Sequence, residues 1–118
     1  MYTAQGYRDP HLMVDCRKAA AWLDSHPMTL TRKEFELLAF LSENAGEAMR
    51  RDVLMMEIWG YSREIRTRTL DVHIRRLRRK LGAFGDQYIE TIFGVGYRFQ
   101  PYREGRNGLA AAALPVVA

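Results

Sequence analysis

The residues with the clearest chemical potential form an arginine-rich segment at positions 66–81. Wound as a helix at about 100° per residue, the segment has a narrow apolar stripe made of Leu70, Ile74, Leu77 and Leu81. The opposite side carries Arg68, Val72, Arg75, Arg76 and Arg79. Arginine offers a flat, permanently charged fork that suits phosphate oxygens and the edge of guanine. The pattern predicts a helix that buries one side in a core and recognises DNA with the other.

Charge is concentrated in this part of the chain. Residues 63–80 carry eight basic and two acidic side chains, whereas the rest of the chain carries ten basic and twelve acidic ones. A helix face that is merely solvated usually mixes the two signs, and this one does not. The distribution therefore indicates an anionic partner.

Catalytic and metal-binding patterns are missing from the sequence. The carboxylates are scattered, and His73 has no second ligand three or four residues away. Gly94-x-Gly96 precedes a strand and lacks the lysine–serine pair of a phosphate loop. Cys16, the single cysteine, forms no disulfide framework and suits a buried, inert thiol. We therefore expect neither an enzyme nor a cofactor.

Length and hydropathy favour one cytoplasmic domain. A chain of 118 residues can bury one modest core. It opens without a signal-peptide pattern, and the apolar residues 109–118 are about half as many as a bilayer span needs. We expect a domain over residues 11–103, without membrane contact, after a leader or linker remnant over 1–10 and before a disordered tail over 104–118.

The helices and strands that must position the arginines can be predicted from the spacing of apolar residues and from capping and turn residues. Short apolar runs over residues 11–30 predict a small antiparallel sheet of three or four strands, although the alanines at 19–21 favour helix. Thr31 and Glu34 form a capping box for a first helix, and a second helix should span residues 52–59. Thr67 should cap the third helix, which Gly82 ends.

The end of the domain is predicted to form a β-hairpin. Residues 88–92 and 97–99 have strand composition and are separated by a turn, Phe93-Gly94-Val95-Gly96. A hairpin behind three helices is a wing. The predicted fold class is therefore α+β, a winged helix-turn-helix with a small amino-terminal antiparallel sheet, three helices and a carboxy-terminal β-hairpin wing.

Four motifs, in this order along the chain, resemble one family. They are the run Leu30-Thr31-x-Lys33-Glu34-Phe35-Glu36-Leu37-Leu38, then Trp59-Gly60-Tyr61, then the segment 68–81, then Gly94-x-Gly96-Tyr97-Arg98. Over residues 11–100 the chain resembles the DNA-binding effector domain of OmpR/PhoB-type bacterial response regulators. The resemblance implies a transcription regulator that binds direct repeats of double-stranded DNA in tandem, self-associates there and recruits RNA polymerase. It also implies a bacterial, nucleoid-associated location.

The resemblance assigns roles to individual residues. Positions that face bases in the major groove match Thr69, Asp71, Val72 and Arg76. Positions that contact the DNA backbone match Trp59, Arg68, His73, Arg75, Arg78, Thr91 and Tyr97. The loop that contacts polymerase matches Gly60, Tyr61, Ser62, Arg63, Glu64, Ile65 and Arg66. From the helical wheel alone, Val72 and Arg76 point outward, where valine could meet a thymine methyl and arginine a guanine.

Three of these residues also have a simpler structural explanation. Trp59 could be a core residue with one exposed edge, and His73 could be structural or touch phosphate. Tyr97 could pack in the core, contact DNA, or do both.

The chain departs from its relatives at three points. Phe93 stands in the wing turn where many relatives carry an arginine that enters the minor groove, although Arg98 is nearby. Arg50 replaces the serine or threonine that often caps the second helix, so that helix could fray at its start. Ten leading residues are too few for the phosphoacceptor domain that normally precedes such a module. We therefore expect a stand-alone regulator or a piece of a longer one.

Two further classes of function remain open at this point. Val53 and Met56 are apolar where relatives often carry charge, which would suit a protein-interaction module that docks its basic helix on an acidic partner. Basic charge would also suit non-specific DNA binding or RNA binding, but aromatic residues interleaved on a sheet for base stacking are not evident.

Overall fold

An antiparallel sheet forms the amino-terminal part of the fold in a computed structural model that describes residues 2–3, 6–60 and 67–103. Its strands pair in chain order: β1 (Tyr2–Thr3), β2 (Gly6–Arg8), β3 (Leu12–Asp15), β4 (Ala20–Leu23) and β5 (His26–Pro27). Successive side chains of a strand point to opposite faces. Leu12 and Val14 are accordingly buried, and Met13 between them is only half-buried. The sheet predicted over residues 11–30 is confirmed with three strands there, and β1 and β2 extend it to five.

The expected leader at residues 1–10 is wrong for its second half. Gly6–Arg8 is a strand paired with β3, and Tyr7 is only 3% exposed. A Cβ at Gly6 would lie 2.0 Å from the carbonyl oxygen of Val14, so only glycine allows the two strands to approach this closely. One buried aromatic residue in a three-residue strand gives no periodic pattern, so the sequence did not predict this strand.

The alanines at 19–21 contribute to the sheet and not to a helix. Ala21 pairs with Val14 across β3 and β4 and is 2% exposed. Burial against the core outweighs the modest helix preference of alanine here.

Three main helices follow the sheet: α1 (Arg32–Glu43), α2 (Arg51–Trp59) and α3 (Thr67–Lys80). The capping box of α1 is confirmed, since the Glu34 amide donates to Thr31 Oγ1 at 3.2 Å and the Thr31 amide donates to Glu34 Oε1 at 2.9 Å. Arg50 precedes α2 without a capping hydrogen bond from its side chain. The Arg51 amide donates instead to the Val95 carbonyl oxygen at 3.1 Å. The wing thus satisfies one of the amide donors at the start of α2 that have no partner within the helix.

The wing has one more strand than the sequence predicted. Strands β6 (Ala48–Arg50), β7 (Ile89–Ile92) and β8 (Gly96–Phe99) form an antiparallel sheet in the order β6-β8-β7. A 3₁₀ turn (Gly82–Phe84) and a one-turn helix, α4 (Gly85–Tyr88), connect α3 to β7. At Gly85 a Cβ would lie 2.4 Å from the Arg78 carbonyl oxygen, so α3 and α4 approach more closely than a side chain allows. The predicted hairpin is confirmed, and β6 is too short and too exposed to have given a pattern.

The apolar stripe of α3 lies in the core, as its spacing predicted. Leu70, Leu77 and Leu81 are 0% exposed and Ile74 is 1% exposed. Burial of each such side chain stabilises a fold by about 1.5–3 kcal/mol. The stripe packs with buried residues of the sheet, of α1 and of the wing, namely Tyr7, Leu12, Val14, Ala21, Leu37, Leu38, Leu41, Tyr88, Ile89 and Phe99.

None of the helices in the described part of the chain has the length and apolar character needed to cross a bilayer. In the same ranges, no three His, Cys, Asp or Glu side chains are grouped so that they could hold a metal ion.

Asp9 joins the amino-terminal sheet to the end of α4. Its carboxylate accepts hydrogen bonds from the amides of His11 and Leu12 at 2.7 and 2.8 Å and from the Tyr88 hydroxyl at 2.8 and 2.9 Å. The Tyr7 hydroxyl is a further donor. Burial opposes the charged form, but these donors together hold the pKa of Asp9 below its ordinary value of 3.8.

We expect Tyr88→Phe to lower the free energy of unfolding at pH 7 by about 1–2 kcal/mol, because it removes a donor to a charged acceptor. Since the folded pKa of Asp9 lies below 3.8, this stabilisation is present above that pH and is lost as the pH falls through the folded pKa. Urea unfolding over a pH series that runs from 7 to below the folded pKa of Asp9 measures both effects. The control is Tyr102→Phe, whose hydroxyl makes no hydrogen bond within the described residues. A loss that stays the same after the Asp9 carboxylate is protonated would contradict its role.

Candidate nucleic-acid interface

The outward face of α3 presents four guanidinium groups that make no hydrogen bond or salt bridge within the described residues. Arg68, Arg75, Arg76 and Arg79 are all exposed. Across residues 2–3, 6–60 and 67–103, no hydrogen bond or salt bridge pairs any of them. Burial of the leucine–isoleucine stripe holds this face outward, because the two sides of a helix turn together. The charge pattern of the sequence therefore becomes one continuous cationic surface.

Thr69 and Val72, two of the positions predicted to face bases, are partly exposed on the same helix. They lie near Arg68, Arg75 and Arg76, so the structure brings these predicted contacts together on one element.

Asp71 differs from the other predicted base-facing residues because its carboxylate already has partners. Arg51 donates to both oxygens at 2.7 and 2.8 Å, and the Tyr97 hydroxyl donates at 2.6 Å. The Arg51 hydrogen bond is the main reason why the pKa of Asp71 is lowered; burial opposes it and Tyr97 supports it. This carboxylate connects α3 to α2 and to the wing, and its contact with a base stays a prediction.

Arg78 and Thr91 were both predicted to contact the DNA backbone, and in the structure they contact each other. Arg78 Nη2 donates to Thr91 Oγ1 at 2.7 Å, and Nε and Nη2 donate to the Ile89 carbonyl oxygen at 3.0 and 2.7 Å. The guanidinium carbon also lies 5.5 Å from the centre of the Tyr97 ring, within reach of a cation–π interaction. These contacts fasten α3 to the wing through Arg78, and its contact with the DNA backbone stays a prediction.

Arg98 also has a partner within the protein. It donates to Glu90 Oε1 at 2.9 and 3.1 Å across β7 and β8, and Gln100 Nε2 donates to the same oxygen at 3.0 Å. The sequence suggested Arg98 as a cation that could substitute for the missing arginine of the wing turn, but its charge is balanced by Glu90. Phe93 itself is 91% exposed at the tip of the turn.

Trp59 and His73 contact each other at the junction of α2 and α3. Their rings meet edge to face with centres 4.9 Å apart, and His73 Nδ1 lies 2.8 Å from the Thr69 carbonyl oxygen. A carbonyl only accepts hydrogen bonds, so Nδ1 carries the proton in this contact. Tyr97 is 7% exposed. For all three residues the structure shows the packing role that the sequence left open beside DNA contact.

Two site residues were missed by the sequence analysis. Arg51 binds Asp71 across twenty positions of the chain, and Lys80 binds Glu34, which is only 1% exposed, at 2.6 Å. Helical spacing reports neighbours on one helix and says nothing of pairs between helices, so no signal identified them. Of the predicted polymerase-contact loop, Gly60 ends α2 with a positive φ of 76°, and residues 61–66 lie outside the described residues.

We expect Tyr97→Phe to raise the pKa of Asp71 toward its ordinary value of 3.8, because the change removes one donor to the carboxylate. Carboxyl NMR titration of labelled aspartate measures it. Tyr88→Phe is the matched control, since the Tyr88 hydroxyl donates to Asp9 and not to Asp71. An unchanged Asp71 titration in Tyr97→Phe would show that the phenol does not donate there.

The chain is similar to a known family of proteins. Residues 25–99 match the family described as transcriptional regulatory protein, C terminal. The response regulator ArlR of Staphylococcus saprophyticus is 40% identical over 87 residues, which are 73% of this chain and 40% of that protein. The chain thus spans about two fifths of the length of this curated relative.

Solved structures agree with this match. DrrB, a Thermotoga maritima OmpR/PhoB homolog, superposes with a TM-score of 0.75 at 33% identity, over 82% of this chain and 45% of that one. The DNA-binding domain of Klebsiella pneumoniae RstA, solved in complex with the RstA box, gives a TM-score of 0.74 at 30% identity over 83% and 99% of the two chains.

The family match covers more than half of the chain and includes all three main helices and the wing. The relatives are transcription regulators and not enzymes. The chain therefore belongs to the transcriptional regulatory protein, C-terminal family, and is a winged-helix effector domain of the OmpR/PhoB type.

Proposed function

We propose that this domain binds specific sequences of double-stranded DNA and thereby regulates transcription. The observation that carries the proposal is the set of four exposed arginines on the outward face of α3, none of which makes a hydrogen bond or salt bridge with another described residue. A cationic face of this kind attracts the phosphate backbone, and arginine can also read guanine. The similarity to RstA, which was solved with its DNA box, supports the same partner.

In the proposed complex, α3 enters the major groove. Arg76 and Val72 face base edges, where arginine can bind guanine O6 and N7 and valine can contact a thymine methyl. Arg68, Arg75 and Arg79 bind phosphates and fix the register of the helix without reading sequence. Asp71 and Arg78 hold α3 against α2 and the wing, so they act as positioning residues.

The wing, residues 88–100, extends toward the adjacent minor groove. Its orientation relative to α3 depends on Arg78, which bonds to β7, and on Tyr97, which bonds to Asp71. Because these contacts exist without DNA, the two reading elements are preorganised, which lowers the cost of ordering them on binding.

The remaining partners are proposed on family grounds. The loop 60–66 would contact RNA polymerase, and copies of the domain would associate in tandem on direct repeats. The place of action would be the bacterial cytoplasm at the nucleoid.

A protein-interaction module is the second candidate, because Val53 and Met56 of α2 are 36% and 49% exposed. Non-specific nucleic-acid binding, including RNA binding, is the third. A gel-shift titration with random duplex and RNA competitors at two salt concentrations separates the three. Specific DNA binding predicts a complex that random duplex does not displace at equal concentration.

We expect the logarithm of affinity for duplex DNA to fall against the logarithm of salt concentration with a slope of about −3 to −4, from three or four neutralised phosphates. This slope corresponds to phosphate contacts by Arg68, Arg75, Arg76 and Arg79. Arg78, Arg98 and Lys80 are not included because each binds a partner within the fold. Fluorescence anisotropy over a salt series measures the slope. A slope near zero would exclude DNA as the main partner.

We expect Arg76→Ala to cost about 1–3 kcal/mol on the preferred duplex and to flatten the preference at one base position. Its matched control is Arg75→Ala, which removes another exposed arginine of the same helix and should weaken all duplexes about equally. Binding to a panel of single-base variants measures both. Identical behaviour of the two mutants on preferred and random DNA would contradict the division between reading and docking.

A further inference from the structure

The tip of the wing is apolar and exposed. Phe93 is 91% exposed and is left uncovered by the described structure, whereas Val95 is 37% exposed and is covered in part. The turn is fixed by a hydrogen bond from the Val95 amide to the Ile92 carbonyl oxygen at 2.9 Å and by Gly94, whose φ of 80° suits glycine. The Phe93 ring therefore projects from a defined turn.

The hairpin itself brings no unbalanced charge to this tip. Between residues 89 and 99 the only ionisable carboxylate is Glu90 and the only cation is Arg98, and these two bind each other. Arg50 of β6, which lies opposite Gly96, forms an ion pair with Asp52. Any contact that the Phe93 and Val95 side chains themselves make must therefore be apolar.

Two contacts locate the tip beside the cationic face. The Val95 carbonyl accepts the Arg51 amide at the start of α2, and one residue beyond Gly96 the Tyr97 hydroxyl binds Asp71 in the first half of α3. A surface that binds DNA through α3 would thus bring the wing tip to the duplex as well.

We propose that Phe93, with Val95, contacts the apolar surface of the DNA minor groove, either the deoxyribose edges or a partly opened base step. This inference rests on the proposed function. Apolar side chains are known to enter the minor groove as wedges, and flexible pyrimidine–purine steps open most readily. The contact replaces the electrostatic reading of a narrow groove with one that does not depend on ion pairing.

The experiment uses the full chain and a duplex that the wild-type protein selects from a random pool. Phe93→Ala should weaken binding to this duplex about tenfold, in the range of aromatic contacts with bases. Its salt slope should match that of the wild type, since no ion pair is lost. Met56→Ala is the matched control, because it removes another exposed apolar side chain, on α2, and should leave affinity unchanged. Thermal unfolding should be the same for all three proteins, since Phe93 is not part of the core.

Phe93→Arg converts the apolar contact into an ionic one. Its salt slope should become steeper by about one, and it should favour duplexes with A/T-rich flanks, whose narrow minor groove attracts cations. An unchanged slope would show that the tip does not reach the phosphates or the groove, and would overturn the proposal.

Fluorescence energy transfer between dyes at the duplex ends distinguishes the two sources of apolar surface. A bend that Phe93→Ala abolishes identifies a base step, and an affinity loss without a change in bend identifies sugar edges; both support the proposal. If Phe93→Ala binds a single site as tightly as the wild type, the proposal is wrong. A loss confined to duplexes with two sites would assign Phe93 to a protein contact instead and would also overturn it.

Failure of this inference can be told from failure of the proposed function. Arg76→Ala is measured on the same selected duplex. If it loses sequence preference and Phe93→Ala behaves as wild type, α3 reads DNA without the wing tip. If the wild-type protein selects no duplex at all, the proposed function itself fails.

Discussion

Burial of the apolar stripe of α3 is the constraint on which the rest of the interface depends. Leu70, Ile74, Leu77 and Leu81 are almost completely buried. Removal of any one of these side chains would leave a cavity that costs about 2–5 kcal/mol, which is a large part of the stability of a small domain. A rotation of the helix that hid its arginines would expose this stripe to water. The core thus enforces the outward direction of the guanidinium groups, although they contribute nothing to it.

The basic residues of this region divide into two groups that their residue type does not distinguish. Arg51, Arg78, Arg98 and Lys80 have partners within the protein. Arg68, Arg75, Arg76 and Arg79 have none among the described residues. The first group fixes the relative placement of α1, α2, α3 and the wing, and the second is available to a ligand. Partners within the fold, and not charge alone, decide which arginine can bind DNA.

Tyr97 contacts residues of the wing, of α3 and, through Asp71, of α2. Its ring lies under the Arg78 guanidinium and its hydroxyl binds Asp71, whose carboxylate also binds Arg51. The wing, α2 and α3 therefore meet through one side chain that is itself 7% exposed. Preorganisation of this kind would favour the proposed binding of α3 and the wing to one rigid duplex.

The sequence alone determined the elements whose signals are local. Helical periodicity over residues 70–81, the capping box at Thr31 and Glu34, and the glycine-containing turn at 93–96 each arise from residues within a few positions of one another. These predictions are confirmed by α3, by α1 and by the hairpin. The direction in which Arg76 points followed from the same periodicity, because one helix face determines the other.

Tertiary structure decided whatever depends on residues far apart in the chain. The strand Gly6–Arg8 exists because β3 provides backbone partners and the core accepts Tyr7, and β6 exists because β8 lies beside it. Asp71 and Arg78 were expected to touch DNA, and their first partners are Arg51, Tyr97, Ile89 and Thr91. A hydrogen bond or ion pair is set by distance in space, and the sequence specifies that distance only through the complete fold.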